Sequence, residues 1–185
     1  NDFFPSITKA KLAEYQSAKI NPQIDRALSP FIPGSTFKVP TALVGATKGF
    51  SGRSYNCSGY VTYGTYKPKC WIADKGGRHG SLTLPKAIQQ SCNPYFMQLA
   101  NQIGAKGMAD GFRMLGLGQK AGLPLPLDYP GQVTGSREWV AANHRTPNPA
   151  EVGLLSIGQG NALASPLQLC AVTACVANGG KYYRP

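Results

Sequence analysis

The sequence predicts a mainly α-helical chain, and three observations carry that reading. Apolar residues recur at helical spacing in segments that are mostly opened by a capping residue or a proline. Strand-like patterning is confined to short pieces inside residues 50–80. The chain has 185 residues, 42% of them apolar, which suffices to bury one core. No repeat and no shift in composition marks a boundary, so residues 1–185 read as a single unit.

Taken in order, Thr8 to Lys19 reads as a short surface helix that Asn21-Pro22 ends. Ser29-Pro30-Phe31-Ile32-Pro33-Gly34 is rich in breakers, and Ser35 follows at the head of an apolar helix that stops near Gly49. Pro40 is tolerated there because it falls in the first turns. Residues 50 to 80 are rich in turn formers, with strand-like pieces at Tyr60–Tyr63 and Cys70–Ala73. A helix starts at Thr83 with Pro85 in its first turn and breaks at Ser91-Cys92-Asn93-Pro94. Asn93 is the predicted N-cap, and Pro94 the first residue, of the next helix, which ends at Gly104. A shorter helix covers Ala105 to Leu115, residues 116 to 148 read as a Gly/Pro-rich linker, and the last helix is capped by Ser165 and stopped by Asn178-Gly179-Gly180.

Charge and composition remove several function classes. Nineteen Lys and Arg stand against eight Asp and Glu, a net charge of +11. The cations are scattered and do not interleave with aromatics as in RNA-binding modules, so no nucleic-acid partner is predicted. A solvated basic surface facing an anionic setting such as a cell envelope is the preferred reading. Val152 to Gly180 lacks charge, yet its longest apolar run is about half of a membrane span. Asn1 to Ser6 shows no leader pattern, and with no start methionine the chain reads as a processed or excised piece.

The five cysteines, Cys57, Cys70, Cys92, Cys170 and Cys175, form no CxxC pair. Cys57, Cys70 and His79 fit no common zinc spacing, and no metal is predicted. Cys57 and Cys70 flank a loop that a disulfide would suit in an oxidising compartment. The other three read as small buried apolar groups. Gly116-Leu117-Gly118 lacks the spacing of a dinucleotide fingerprint, and no cofactor is predicted.

One chemical signal remains. In Pro33-Gly34-Ser35-Thr36-Phe37-Lys38 the hydroxyl and the amine are three positions apart, on one helix face. A lysine at its reference pKa is about 0.04% neutral at pH 7, so to serve Ser35 as base Lys38 needs a depression of roughly 3 units, which burial beside another cation would supply. A helix N-terminus beneath Ser35 favours an oxyanion. The spacing alone equally suits an N-cap serine with a solvated lysine. Ser91-Cys92-Asn93, between two helices, adds a hydroxyl and an amide able to point into one cleft, although Asn93 also suits a plain helix cap.

With these motifs the chain resembles the penicillin-binding proteins, serine D,D-transpeptidases for which a Ser-x-x-Lys, a Ser-x-Asn triplet and a Lys-Thr-Gly are characteristic. Further matches are Cys70-Trp71, His79-Gly80, Asn93-Pro94-Tyr95-Phe96, Phe112 to Gly118, Ile157-Gly158-Gln159-Gly160 and Ser165 to Leu169. The order resembles class B, in the group that includes penicillin-binding protein 2. The resemblance implies catalytic Ser35, Lys38 and Ser91, with Asn93 binding substrate. It implies that Ser35 attacks a stem-peptide D-Ala carbonyl and is acylated by β-lactams, without cofactor or metal, and that Gly158-Gln159-Gly160 packs near the active-site helices.

The resemblance further implies an extracytoplasmic enzyme, membrane-anchored in its full-length form, whose partners are peptidoglycan stem peptides, β-lactams and a cell-wall glycosyltransferase. No Lys-Thr-Gly occurs. The chain therefore reads as the helical core of an α/β transpeptidase fold, truncated at both ends, with most of the central antiparallel sheet supplied by the remainder of the same polypeptide. A large apolar face is expected to be exposed or covered by a neighbour, and the fragment is predicted to be weak or dead in catalysis. A β-lactam sensor or a non-catalytic basic envelope scaffold is the alternative.

Overall fold

A computed structural model describes residues 6–124 and 128–185; Asn1–Pro5, on which most of the leader reading rests, and residues 125–127 of the 116–148 stretch lie outside. The described residues form α1 (Lys9–Ser17), α2 (Lys38–Thr47), β1 (Tyr55–Cys57), β2 (Gly80–Leu82), α3 (Leu84–Gln89), α4 (Asn93–Ile103), α5 (Ala105–Met114), α6 (Arg137–Asn143), α7 (Pro149–Ser156) and α8 (Pro166–Ala177). The chain is helix-dominated, as its patterning predicts, and β1 and β2 make one antiparallel pair with Asn56 opposite Ser81.

Local chemistry explains most helix starts. Thr8 and Ser136 accept hydrogen bonds from the third backbone N–H of α1 and α6. Asn148 with Glu151, and Ser165 with Gln168, form reciprocal capping boxes on α7 and α8, each followed by a proline at the first helical position. No α1 residue is buried, in keeping with a surface helix.

Three sequence expectations are corrected. The stretch from 116 to 148 holds a helix, α6, and the buried side chains Val133, Thr134 and Trp139. The linker reading weighed glycines and prolines and overlooked Ser136 as a cap. Trp71–Lys75 is a 3₁₀ turn, and Tyr60 and Tyr63 make single bridges to Lys69 and Tyr66; the strands lie at 55–57 and 80–82. Too few residues separate the breakers here for a longer ladder. Helix α7 had a legible start in Asn148-Pro149-Ala150-Glu151, which the sequence reading passed over.

Helix α4 is the centre of the molecule. Tyr95, Phe96, Met97, Leu99 and Ala100 are all at most 1% exposed, and α4 packs on α2, α5, α7 and β1. Burying each of the large side chains is worth about 1.5–3 kcal/mol. Helix α5 crosses α2 closely because Gly111 has no side chain, and a Cβ there would meet Val44. No helix among the described residues is long and apolar enough to cross a membrane. Ile20, Ile24, Phe31 and Ile32 are exposed large apolar side chains in the approach to α2.

Candidate active site

The site begins with a change of helix type. Gly34–Phe37 is a 3₁₀ turn that runs directly into α2. Phe37 is fully buried, its ring 4.8 Å from that of Phe112. Anchored there, the turn leaves Ser35 at the surface while Lys38, one position past Phe37, is only 3% exposed. Ser35 makes no side-chain cap bond, and Lys38 is not solvated, which removes the plain cap alternative.

Lys38 Nζ lies 3.0 Å from Ser35 Oγ, 2.9 Å from Ser91 Oγ, 2.8 Å from the Ser91 carbonyl oxygen and 2.6 Å from Asn93 Oδ1. Ser91 Oγ in turn donates to Ser35 Oγ at 3.3 Å. Four neutral acceptors surround an ammonium with three protons, and no carboxylate pairs with it among the described residues. Desolvation therefore lowers the Lys38 pKa to about 8, while the nearby Cys70 and Cys92 thiols oppose that shift. Burial supplies most of the required depression without a second cation.

The turn between α3 and α4 is shaped for this contact. Ser91 has φ +47°, a left-handed conformation that non-glycine residues seldom hold. The Cys92 N–H donates to the Ala87 carbonyl, and Lys38 donates to the Ser91 carbonyl, so both sides of the turn are tied. Asn93 corrects the sequence reading. The N-cap is Cys92, with no side-chain cap bond, and Asn93 is the first residue of α4. Its Oδ1 accepts from Lys38 and its Nδ2 donates to the Lys69 carbonyl at 3.1 Å. The amide serves the cleft instead of the helix end.

Gly158 closes the site from behind. Its carbonyl accepts from the Gly34 N–H at 2.9 Å, its φ is +66°, and a Cβ there would collide with Gly34 and Phe37. Thr41 Oγ1 donates to the Ser156 carbonyl at 2.8 Å and ties α2 to α7. Of the Gly158-Gln159-Gly160 stretch that the resemblance places near these helices, Gly158 touches Gly34 and Phe37.

A second constellation adjoins the first. Cys57 on β1, Cys70 before the 3₁₀ turn, His79 before β2 and Cys92 before α4 bring three sulfurs and one imidazole nitrogen within 4.8 Å of one another. His79 Nδ1 is 3.6 Å from both Cys57 and Cys70 Sγ. Tetrahedral zinc with ~2.3 Å bonds to sulfur needs donors about 3.8 Å apart, so this set fits zinc in a closed Cys₃His site. The Cys92 thiol donates toward Cys70, holding Cys70 below and Cys92 above the usual thiol range. Cys57 and Cys70 are free thiols, and Cys170 is exposed, not buried. No chain spacing betrayed the cluster, because its four residues come from four separate local structures.

A serine hydrogen-bonded to a buried lysine, facing a second serine and an amide, is an arrangement suited to serine acyl transfer. The chain belongs to the family described as the penicillin binding protein transpeptidase domain, which matches residues 8–185. It is 34% identical over 188 residues to the peptidoglycan D,D-transpeptidase MrdA of Acinetobacter baumannii, covering 97% of this chain and 27% of that protein. The fold superimposes on Pseudomonas aeruginosa PBP2, solved in complex with WCK 5153, with a TM-score of 0.85 at 31% identity, over 97% of this chain and 40% of that one. It is also similar to penicillin-binding protein A of Mycobacterium tuberculosis, solved as a penicillin G acyl-enzyme complex, with a TM-score of 0.80 at 26% identity, over 99% and 41% of the two chains. The chain thus spans about a quarter of its MrdA relative.

Proposed function

We propose that this chain is the nucleophile-bearing part of a peptidoglycan D,D-transpeptidase, a partial domain over residues 1–185 completed by further polypeptide of the same protein. The observation that carries the reading is the buried Lys38 amine within hydrogen-bond reach of Ser35, Ser91 and Asn93 together.

In this reading neutral Lys38 takes the Ser35 proton as Ser35 Oγ bonds to the carbonyl carbon of the penultimate D-Ala of a stem peptide. The peptide C–N bond then breaks. Ser91, which bridges Lys38 and Ser35, delivers the proton to the departing D-Ala nitrogen, and an ester to Ser35 remains. An amino group of a neighbouring stem attacks that ester, the new amide forms, and the proton returns to Ser35 Oγ. Asn93 orients the substrate amide from the opposite side.

The enzyme works outside the cytoplasm, anchored by segments elsewhere in its polypeptide, beside a glycosyltransferase that supplies the strands. A β-lactam acylates the same serine. Cys57, Cys70, His79 and Cys92 would hold a structural zinc, and Cys92 would then fix the Ser91–Asn93 turn from behind without a part in the acyl transfer.

Fluorescent penicillin tests the central step on the full-length protein. Stoichiometric labelling abolished in Ser35→Ala, together with crosslinked product from stem-peptide substrate, is the expected result. Labelling without crosslinking would make the protein a β-lactam sensor, and no labelling would leave a scaffold.

A further inference from the structure

The segment from Phe50 to Gly80 carries five cations, Arg53, Lys67, Lys69, Lys75 and Arg78, against the single carboxylate Asp74. Among the described residues none of these five makes an ion pair. The same segment exposes three large aromatic rings: Tyr60 at 46%, Tyr66 at 47% and Trp71 at 42%. Two of the cations lie against those rings, Lys67 Nζ 5.9 Å from the Tyr60 centroid and Lys75 Nζ 5.4 Å from that of Trp71.

This surface is fixed to the site. The Lys69 carbonyl accepts from Asn93 Nδ2, and Trp71 Nε1 donates to the Gln90 carbonyl at 2.8 Å, one residue before Ser91. Tyr60 pairs with Lys69 across the small hairpin, which fixes one aromatic beside one cation. Exposed aromatics on a loop held rigidly at a cleft signal recognition and not core packing.

We propose that Tyr60, Tyr66 and Trp71, with Lys67, Lys69 and Lys75, form a docking platform for a peptidoglycan strand whose stem peptide occupies the Ser35 site. The inference rests on the transpeptidase reading and extends it from the scissile bond to the polymer. Two features of the surface fit that occupant. Pyranose rings present C–H faces that stack on aromatic side chains, as flat apolar faces generally do. The carboxylates of stem peptides match cations that have no protein counter-ion.

The test is co-sedimentation of the full-length protein with purified insoluble sacculi. Lys67→Glu/Lys75→Glu and Tyr60→Ser/Tyr66→Ser, each at exposed positions, are expected to weaken retention about tenfold. The charge-reversal variant loses most of its remaining salt sensitivity. Ser35→Ala keeps retention while losing penicillin labelling, which separates docking from catalysis. Unchanged retention in both double variants, or no sedimentation of the unaltered protein with sacculi, overturns the proposal. Failure of the unaltered protein to label with penicillin, with retention intact, instead overturns the transpeptidase reading.

Discussion

The two constellations on either side of the Ser91–Asn93 turn are built by opposite means. Around Lys38 the key pair is local: Ser35 and Lys38 are one helical turn apart, and burial of Phe37 aims both. The cysteine–histidine cluster is wholly non-local, its first and last members 35 positions apart. Yet one tripeptide belongs to both. Ser91 and Asn93 face the amine, and Cys92 between them faces the sulfurs. A tight turn in which alternate side chains diverge lets one backbone segment be fixed from behind while it presents polar groups in front.

That comparison is broken most sharply by Lys38→Met in the full-length protein. Removing the amine while keeping the volume is expected to slow penicillin acylation about 10²–10⁴-fold. Zinc content should not fall, because none of the Lys38 hydrogen bonds goes to a cysteine or to His79. Loss of zinc would show that the two constellations are one unit.

The pH dependence comes next in size. Lys38 titrates near 8, and only its neutral form can accept the Ser35 proton. The acylation rate constant should therefore rise about tenfold per pH unit below 8 and level off above it. A flat profile from pH 6 to 8 would exclude Lys38 as base. The stability effect has its own sign. The folded pKa lies below the ordinary 10.5, so the penalty of the buried ammonium is full below pH 8 and fades as the pH rises from 8 to 10.5.

Cys92→Ser and Asn93→Ala sharpen the contrast between neighbours. Cys92→Ser should remove most of about one zinc per chain, measured by elemental analysis, with acylation lowered only as far as the turn loosens. Asn93→Ala should leave zinc in place and slow acylation about tenfold or more, since it strips an acceptor from Lys38 and an amide from the cleft. Equal zinc loss in both variants would contradict the division of labour. Outside both constellations, Gly158→Ala is expected to cost about 1–3 kcal/mol of stability, because φ +66° and the touching Gly34 backbone leave no room for a methyl group. Chemical denaturation measures it.

The sequence by itself determined whatever depends on near neighbours along the chain. The Ser35–Lys38 spacing, the break at Ser91–Asn93, the capped start of α8 and the helix-dominated class were legible because helical periodicity and capping act over three or four residues. Short-range signals also misled: Asn93 has the composition of a cap but is pulled into the cleft by a lysine 55 positions away. Only the tertiary structure decided that Lys38 is buried, that Lys69 supports Asn93, and that Cys57, Cys70, His79 and Cys92 converge. Each of these depends on which surfaces the core brings together. Burial, and with it the lowered pKa of an amine or the pairing of four distant donors, belongs to packing and leaves no periodic trace in the chain.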